Sequence, residues 1–330
     1  MILAGDIGGT KVDLGLFEVE GDRPELLTAR RYVAEDFPGP EPVLETFLQE
    51  TGARPESLCL GVAGPVIQGR CRLTHRDWIL DADQLKSRFG MPSVRLVNDL
   101  AAIAASVPYL EENDTELLYP GEERPEGRRA VLAPGTGLGQ AFLVPLGGGR
   151  WQVLDTEGGQ VDFAPRNEEE IDLFHYWQSR RGRLSVEDFL SGPGLVRLYH
   201  FFRDRSGSEE PEDPARAFPG ESPAGVISRR GLKETEGPCR AALDRFVQIW
   251  GAVAGNLALQ ILPRGGLYFG GGIAPQLAGR LRGSDVREAF LDKGNFRTLL
   301  ECFPVRVIMN SQAGLWGAAV LCRDDQVVLG

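Results

Sequence analysis

The chain is poor in cysteine and histidine. Its 330 residues include five cysteines and three histidines, and no two cysteines stand in a Cys-x-x-Cys spacing. Because a disulfide framework or a zinc site needs suitably spaced ligands, the sequence indicates neither, and we expect reduced thiols. The residues concerned are Cys59, Cys71, Cys239, Cys302, Cys322, His75, His175 and His200.

Long apolar runs and an excess of positive charge are also missing. No stretch approaches the ~20 apolar residues of a membrane span, and the first residues lack the features of a secretory signal. We therefore expect a cytoplasmic protein that does not enter a membrane. The net charge of −11 argues against a nucleic-acid partner, whose phosphates are bound by clustered Lys and Arg, although it is compatible with a nucleotide ligand.

The composition that is present belongs to an ordinary globular protein. Apolar residues make up 42% of the chain and charged residues 25%, and the length predicts about two domains. The pattern alternates between strands and helices, which predicts a mixed α/β fold. Strands are predicted at 58–63 and 94–97, helices at 42–51, 83–89, 238–262 and 312–322, and an exposed polar connection at 203–223.

A glycine turn near the start of the chain is the most informative segment. A short apolar strand leads into Asp6, Gly8, Gly9 and Thr10, where glycines with φ > 0 would let backbone N–H groups approach an anion. Asp6 could hold Mg²⁺, directly or through water, and Thr10 could donate to a phosphoryl oxygen. Alternating apolar residues follow and favour a hairpin over the helix of a Rossmann or P-loop motif: Val12, Leu14, Leu16 and Val19. An ordinary hairpin turn is the alternative.

The same pattern recurs at 130–144, where Gly135-Thr136-Gly137 separates two apolar strands. We expect the two hairpins to begin similar domains that face each other, with one turn on each side of a nucleotide's phosphates. A third glycine cluster includes Gly271 and Gly272 at the end of a short strand. It would let an adenine ring lie against the backbone, or it is simply a tight strand-to-helix turn.

Polar side chains beside strand ends and glycines form a further group of candidates. Asp99 follows a strand and begins a helical run, so it is either a helix cap or an acceptor for a substrate hydroxyl proton, with Asn98 binding a neighbouring hydroxyl. Glu157, Gln160 and Glu187 offer carboxylates and an amide of the kind that bind sugar hydroxyls. Solvated surface positions are the alternative for each of these three.

Taken in order, these motifs resemble the bacterial glucokinase family of the actin-like ATPase superfamily. The resemblance covers nearly the whole chain. It is carried by the segments Gly5-Asp6-Ile7-Gly8-Gly9-Thr10, Val97-Asn98-Asp99, Gly135-Thr136-Gly137-Leu138-Gly139, Glu157-Gly158-Gly159, Val161-Asp162-Phe163-Ala164-Pro165, Leu190-Ser191-Gly192-Pro193-Gly194-Leu195 and Gly270-Gly271-Gly272-Ile273.

The resemblance implies two actin-like (ribonuclease H-like) α/β domains with a cleft between them. The expected division is a small domain of 1–109 plus 311–330 and a large domain of 110–310. It also implies phosphorylation of the 6-hydroxyl of glucose with ATP and Mg²⁺, by a homodimer.

The resemblance further implies a role for each candidate residue. Asp99 is expected to be the general base, Asn98, Glu157, Gln160 and Glu187 to bind sugar hydroxyls, and Asp6 to address the metal. The remaining residues are expected to bind the nucleotide: Gly8, Gly9, Thr10, Gly135, Thr136 and Gly137 at the phosphates, and Gly271 and Gly272 at the adenosine.

Three positions depart from the family pattern. Gln160 replaces the usual His of Glu-Gly-Gly-His, His75-Arg76-Asp77-Trp78 lacks a common Asn before the Trp, and Pro134 would remove a backbone donor before the second turn. The first two fall where the sugar is selected. A kinase for mannose, fructose or an amino sugar, and a non-catalytic sugar sensor, therefore stay open, as does ADP or polyphosphate as the donor.

Overall fold

The computed structural model describes residues 1–18, 23–73, 76–216, 218, 220–323 and 327–329. The chain forms two compact units. The first unit comprises Met1–Thr115, Ala141–Asp155 and Met309–Gly330, and the second comprises Glu116–Gln140 and Thr156–Ile308.

Strands and helices alternate along the chain, as the sequence pattern predicts. The strands are β1 (Ile2–Ile7), β2 (Lys11–Glu18), β3 (Glu25–Val33), β4 (Ser57–Val62), β5 (Arg70–Arg72), β6 (Ile79–Asp81), β7 (Ser93–Asn98), β8 (Thr115–Tyr119), β9 (Arg129–Pro134), β10 (Leu138–Gly147), β11 (Arg150–Thr156), β12 (Leu267–Phe269), β13 (Val305–Ile308) and β14 (Val327–Leu329). The α-helices are α1 (Pro40–Thr51), α2 (Ala82–Phe89), α3 (Asp99–Ser106), α4 (Glu168–Arg181), α5 (Gly192–Ser206), α6 (Pro223–Lys233), α7 (Pro238–Ile261), α8 (Ala274–Leu281), α9 (Ser284–Leu291), α10 (Arg297–Glu301) and α11 (Ala313–Arg323).

The first unit is built on a five-stranded sheet with the order β3-β2-β1-β4-β7. β1, β2 and β3 pair in antiparallel fashion, whereas β4 pairs in parallel with β1 and with β7. The hairpin predicted around the first glycine turn is therefore confirmed, although Val19 lies outside the described residues. Because β1, β4 and β7 run in parallel, their carboxyl ends lie at one edge of the sheet, where α/β proteins commonly bind ligands.

Small residues determine how the helices of the first unit pack. α11 packs against α3 and also against β1 and β4. A methyl group at Gly317 would lie 1.6 Å from the carbonyl oxygen of Ala102 on α3, so only glycine allows this approach. The helix predicted at 312–322 is thus present as α11, and its small residues allow it to pack closely.

The second unit repeats part of this topology. The strands β9, β12, β13 and β8 are neighbours in that order, and β12 is parallel to β9 and to β13. Of β10, the residues Leu138–Gln140 belong to this unit. As in the first unit, a hairpin with a three-residue connection is followed by parallel strands. This arrangement confirms the internal repeat that the sequence predicts.

The long helix α7 of the second unit has 15 of its 24 residues buried. Methyl groups at Gly251 and Gly255 would each lie 2.4 Å from a carbonyl oxygen, that of Val286 or of Phe290, both on α9. The predicted close packing at these glycines is confirmed. One sequence prediction needs correction here, because α5 continues to Ser206 and the irregular connection begins after that residue rather than at 203.

The predicted boundaries, 1–109 plus 311–330 and 110–310, differ from the two units mainly at 141–155. That segment holds most of the hairpin of β10 and β11, and β11 pairs with β14, with Trp151 opposite Val327. Pairing with a strand near the carboxyl terminus explains why the segment belongs to the first unit. Within the described part of the chain, no helix has both the length and the apolar character needed to cross a membrane.

Candidate functional site

The first glycine turn joins β1 to β2. The N–H of Gly8 donates to the carbonyl of Lys11 at 3.0 Å, and a methyl group at Gly8 would lie 3.3 Å from that oxygen. Neither Gly8 nor Gly9 has a positive φ, contrary to the sequence prediction. Glycine is used here for close approach of the backbone rather than for a left-handed conformation. Thr10 is exposed at the end of the turn.

Asp6 lies near the carboxyl end of β1 with acidic neighbours. Burial raises its pKa to about 7, the nearby Asp99 and Asp13 carboxylates add to the shift, and Lys11 and Arg31 oppose it. On α11, a methyl group at Gly314 would lie 3.1 Å from Asp6 Oδ2, so glycine leaves room for the carboxylate. Neighbouring negative charge opposes the ionisation of such a carboxyl group, and a nearby cation stabilises its ionised form.

Asn98 and Asp99 join β7 to α3 at the same edge of the sheet. Asn98 caps the helix, because its Oδ1 accepts hydrogen bonds from the N–H groups of Leu100 at 2.9 Å and Ala101 at 3.2 Å. Asp99 is the first helical residue and its Oδ1 accepts from the Leu100 N–H at 2.9 Å. The reading of Asp99 as the cap is therefore wrong. Because Asn98 Oδ1 accepts hydrogen bonds from the helix, the Nδ2 group is the part of this side chain that would donate a hydrogen bond to a ligand hydroxyl.

The strand register brings Asp6 and Asp99 to one edge. Gly61 on β4 is opposite Asp6 on one side and opposite Val97 on the other, which places the outer strands roughly 10 Å apart. A methyl group at Gly61 would lie 3.6 Å from the Cα of Asp99. No side chain from the middle strand therefore stands between the two carboxylates at this position.

A cavity of about 230 Å³ lies beside Asp6 in the first unit. Its charged lining is mixed, since the carboxylates of Asp6 and Asp13 face it together with Arg30 and Arg31. Arg31 pairs with Asp13, with donor–acceptor distances of 2.6 and 3.0 Å. The cavity does not include Asp99 in its lining.

The second glycine turn joins β9 to β10 and is held by a carboxylate. The N–H of Gly135 donates to the carbonyl of Gly137 at 2.8 Å, and the N–H of Gly192 donates to the carbonyl of Gly135 at 2.8 Å. Glu187 Oε2 accepts from the N–H of Leu138 at 2.7 Å. A methyl group at Gly137 would lie 2.7 Å from the same oxygen, so glycine is required for this contact. Thr136 is exposed at the tip.

Glu187 also joins this turn to Gln160. Gln160 Nε2 donates to Glu187 Oε1 at 2.8 Å, and the N–H of Glu187 donates to the carbonyl of Gly159 at 2.9 Å. Because a carboxylate only accepts hydrogen bonds, the amide of Gln160 is oriented with its nitrogen toward Glu187. Glu157 is exposed, and its carbonyl accepts from the Gln160 N–H at 3.0 Å.

The third glycine cluster follows β12, beside the end of β9. Gly271 has a φ of 79°, which favours glycine, and a methyl group there would lie 3.2 Å from the carbonyl oxygen of Pro134. The carbonyl of Gly272 accepts from Gln276 Nε2 at 2.9 Å. The second unit thus brings Gly271 close to the strand that leads into the second turn.

The predicted site residues accordingly fall into two groups. The first unit brings together Asp6, Gly8, Gly9, Thr10, Asn98 and Asp99, and the second holds Gly135, Thr136, Gly137, Glu157, Gln160, Glu187, Gly271 and Gly272. Sequence reasoning missed Arg76, whose guanidinium donates to the carbonyl of Gly9 at 3.0 Å. It was noted only within a segment that departs from the family pattern. His75 lies outside the described residues.

A metal site formed by protein side chains alone is not seen among the described residues, since no three His, Cys, Asp or Glu groups are suitably clustered. Mg²⁺ is commonly bound by one or two carboxylates together with phosphate oxygens and water. Asp6, with its raised pKa and acidic neighbours, fits that kind of donor set.

Comparison with known proteins identifies the family. The sequence profile described as Glucokinase matches residues 3–325. The chain belongs to the glucokinase family. It is 38% identical to the glucokinase of Nostoc punctiforme over 335 residues, which cover 97% of this chain and 98% of the relative. The family resemblance inferred from the sequence is therefore confirmed.

Solved structures agree with this assignment. A glucokinase from an Antarctic psychrotroph is similar with a TM-score of 0.82 and 29% identity, covering 97% of each chain. A ROK family glucokinase from Streptomyces griseus, in complex with glucose and AMPPNP, is similar with a TM-score of 0.60 and 21% identity, covering 98% of this chain and 99% of that one. The glucokinase-family chain thus has the expected actin-like α/β fold of sugar kinases.

Proposed function

We propose that this protein transfers the γ-phosphoryl group of ATP to the 6-hydroxyl of glucose. Membership of the glucokinase family supports the reaction class, and the Streptomyces griseus relative, in complex with glucose and AMPPNP, supports a sugar and a nucleotide as ligands. The observation that carries the proposal is the edge of the first sheet, where Asp6 lies near the end of β1 and Asp99 follows β7, on either side of Gly61 on β4.

Asp99 acts as the general base in this proposal. Its carboxylate accepts the proton of the 6-hydroxyl while that oxygen forms a bond to phosphorus and the bond between the γ-phosphorus and the leaving ADP oxygen breaks. The hydrogen bond from the Leu100 N–H at 2.9 Å holds the carboxylate in a defined orientation. Asn98, fixed as the helix cap, donates from Nδ2 to a neighbouring sugar hydroxyl.

The phosphate groups and Mg²⁺ are assigned to the glycine turns and to Asp6. Asp6 would hold Mg²⁺, directly or through water, and the ion when bound neutralises charge on the transferring phosphoryl group. The backbone N–H of Gly9 and the Thr10 hydroxyl would bind phosphate oxygens, and Gly8, whose N–H donates to the carbonyl of Lys11, would shape the turn around them. Gly135, Thr136 and Gly137 are proposed to bind phosphate as well, and Gly271 and Gly272 the adenosine.

Glu157, Gln160 and Glu187 are proposed to bind the remaining sugar hydroxyls. The contact between Gln160 Nε2 and Glu187 Oε1 directs the amide oxygen of Gln160 away from Glu187, so that oxygen would accept a hydrogen bond from a hydroxyl. A glutamine cannot become cationic near neutral pH, unlike histidine. This observation favours a second candidate, a kinase for another hexose such as mannose, fructose or an amino sugar.

The test is ADP release by the purified protein with Mg²⁺-ATP and a panel of sugars. The panel contains glucose, mannose, fructose, glucosamine and N-acetylglucosamine. ADP and polyphosphate are also tried as donors, and with these the sugar phosphate itself is measured, because neither donor releases ADP. Turnover on glucose above all others supports the proposal. Preference for another hexose supports the second candidate, and binding of a sugar without turnover with any donor contradicts both and indicates a sugar sensor.

The same assay tests Asp99. Asp99→Asn should lower kcat by at least about two orders of magnitude, because positioned base catalysis contributes ~10²–10⁴-fold, while sugar affinity changes little. Asp83→Asn is the matched control, since Asp83 is an exposed carboxylate in the first turn of α2. Near-normal turnover of Asp99→Asn would remove the residue from this role.

Two further properties complete the proposal: a homodimer, which the family resemblance implies, and a cytoplasmic location, which was expected from the sequence. The mass of the purified protein in solution, measured by light scattering, tests the first.

A further inference from the structure

Arg76 reaches from one segment of the first unit to two others. Its Nε donates to the carbonyl of Gly9 in the first glycine turn at 3.0 Å, and its Nη1 donates to the carbonyl of Ala34, just after β3, at 3.0 Å. The N–H of Ala34 in turn donates to the carbonyl of Thr10 at 2.9 Å. Two consecutive carbonyls of the turn, those of Gly9 and Thr10, are thereby held from outside the hairpin.

The guanidinium is itself held in place. It lies over the ring of Trp78, with Cζ 5.2 Å from the ring centroid, and Trp78 is 5% exposed. The segment that carries Arg76 is closed at its base by the N–H of Leu73, which donates to the carbonyl of Trp78 at 3.0 Å. Packing on a buried indole restricts a side chain that would otherwise have much rotamer freedom.

Arg76 also differs from many arginines of this chain in what it binds. Arg31, Arg230 and Arg280, for example, each pair with a carboxylate, whereas no ion pair of Arg76 is found within the described residues. Its contacts in the hairpin region are backbone carbonyls. As far as the described residues show, the positive charge therefore lies against the turn and is not paired with a carboxylate.

We infer that Arg76 is a positioning residue for the phosphate-binding turn. The inference rests on the proposed function of that turn. In a trans peptide the C=O and the N–H point in opposite directions, and the described residues contain no cis peptide. By holding the Gly9 carbonyl, Arg76 directs the N–H of Thr10 away from itself, and its charge polarises the peptide so that this N–H becomes a stronger donor to a phosphate oxygen.

The experiment compares Arg76→Ala, Arg76→Lys and the control Arg72→Ala. Arg72 is exposed on β5 and pairs with Asp77 at 2.7 Å, so its replacement removes an arginine from the same region without touching the turn. For each variant we would measure kcat, KM for ATP, KM for the sugar, the Kd of Mg²⁺-ADP by calorimetry, and the thermal midpoint.

Arg76→Ala should raise KM for ATP and the Kd of Mg²⁺-ADP by about 10- to 100-fold, since small displacements of a binding group have effects of this size. KM for the sugar should change by less than about two-fold, because the sugar does not depend on the turn for binding. Arg76→Lys should recover part of the loss, since an ammonium can donate to one carbonyl but lacks the planar fork that reaches both. Arg72→Ala should match the wild type.

Equal changes in KM for both substrates, or unchanged nucleotide affinity in Arg76→Ala, would overturn the inference. A lowered thermal midpoint with unchanged nucleotide affinity would do so as well, because it would leave only a structural role. If the wild type shows no sugar-dependent turnover, the proposed function fails, but the Kd of Mg²⁺-ADP still decides the inference. An increase of about 10-fold or more in Arg76→Ala supports the inference, and an unchanged Kd refutes it.

Discussion

The two glycine turns have similar sequences and the same three-residue length, yet they are held by groups of opposite charge. In the first turn, the cation Arg76 binds the carbonyl of Gly9. In the second, the carboxylate of Glu187 binds the N–H of Leu138 directly after Gly137. The first turn thus has an acceptor bound by a cation. The second turn has its Gly135 carbonyl bound by the N–H of Gly192 and is followed by a donor that a carboxylate binds.

This difference bears on the ligand of each turn. A guanidinium on the carbonyl side leaves the N–H side of the first turn suited to an anion. The carboxylate beside the second turn opposes an anion at its own position, and it joins the turn to Gln160, a predicted sugar ligand. Both turns are proposed to bind phosphate, but we expect the first to act mainly on the nucleotide and the second to influence the sugar as well.

The largest effects are expected from Asp6→Asn and Glu187→Gln, which test the comparison between the two turns. Asp6→Asn should lower kcat by about 100-fold or more and raise the Mg²⁺ requirement, because the carboxylate proposed to address the ion is lost. Glu187→Gln should raise KM for the sugar by about 10-fold, since a charged hydrogen bond at Gln160 is lost. Initial rates with each substrate varied in turn measure both effects.

Each of these variants has a matched control. Asp83→Asn removes an exposed carboxylate of the first unit, in the first turn of α2, and Glu168→Gln removes an exposed carboxylate at the start of α4. Both controls should retain near-normal kinetics. The division of labour between the turns would be wrong if each variant affected both substrates equally. Asp6→Asn would then weaken sugar binding as much as nucleotide binding, and Glu187→Gln would raise KM for ATP as much as KM for the sugar.

A smaller effect is expected from alanine within the second turn. Gly137→Ala should raise KM for the sugar several-fold and lower the thermal midpoint, because the methyl group would displace Glu187 Oε2, 2.7 Å away. Gly135→Ala is the control in the same turn, since a methyl group there meets nothing within 4 Å. Equal sugar affinity and equal thermal midpoints in the two variants would show that the carboxylate contact does not organise the turn.

The strands and the hairpins could be predicted from the sequence, and candidate site residues could be named, because these depend on local patterns. Alternating apolar residues after Thr10 are enough to indicate β2, and glycines mark both turns. The partners of the turns could not be predicted in this way. Arg76 lies 67 positions from Gly9, and Glu187 lies 49 from Leu138. No local periodicity relates residues so far apart, so the charge that holds each turn emerged only from the tertiary structure.

The cap of α3 illustrates a smaller limit of the same kind. Asn and Asp are both good capping residues, and they are adjacent in Asn98-Asp99. The sequence places a helix start at this point, but which residue caps it depends on where β7 ends. The structure assigns the cap to Asn98, which leaves Asp99 in the first helical turn.

The smallest expected effect concerns a charged pair in the second unit that contacts neither turn. Arg280 binds both carboxylate oxygens of Asp285, at 2.8 and 2.6 Å. These hydrogen bonds, assisted by Gln248, lower the pKa of Asp285 to about 2. Because the pKa is lowered in the folded protein, the pair stabilises the fold at every pH above the ordinary pKa of an aspartate. This stabilisation is lost as the pH falls from about 4 to about 2.

Asp285→Asn should therefore lower the free energy of unfolding at pH 5 to 7 by about 0.5–1 kcal/mol, a small amount because the carboxylate is partly exposed. The difference from the wild type, measured by urea unfolding, should shrink toward pH 2. Glu236→Gln, at an exposed site before α7, should show no such trend. KM for ATP and for the sugar should not change in either variant. If the difference in the free energy of unfolding stays the same at pH 2, the variant has lost packing rather than an ion pair. A changed KM would mean that a charge far from the turns also affects substrate binding, which would weaken the contrast between Arg76 and Glu187.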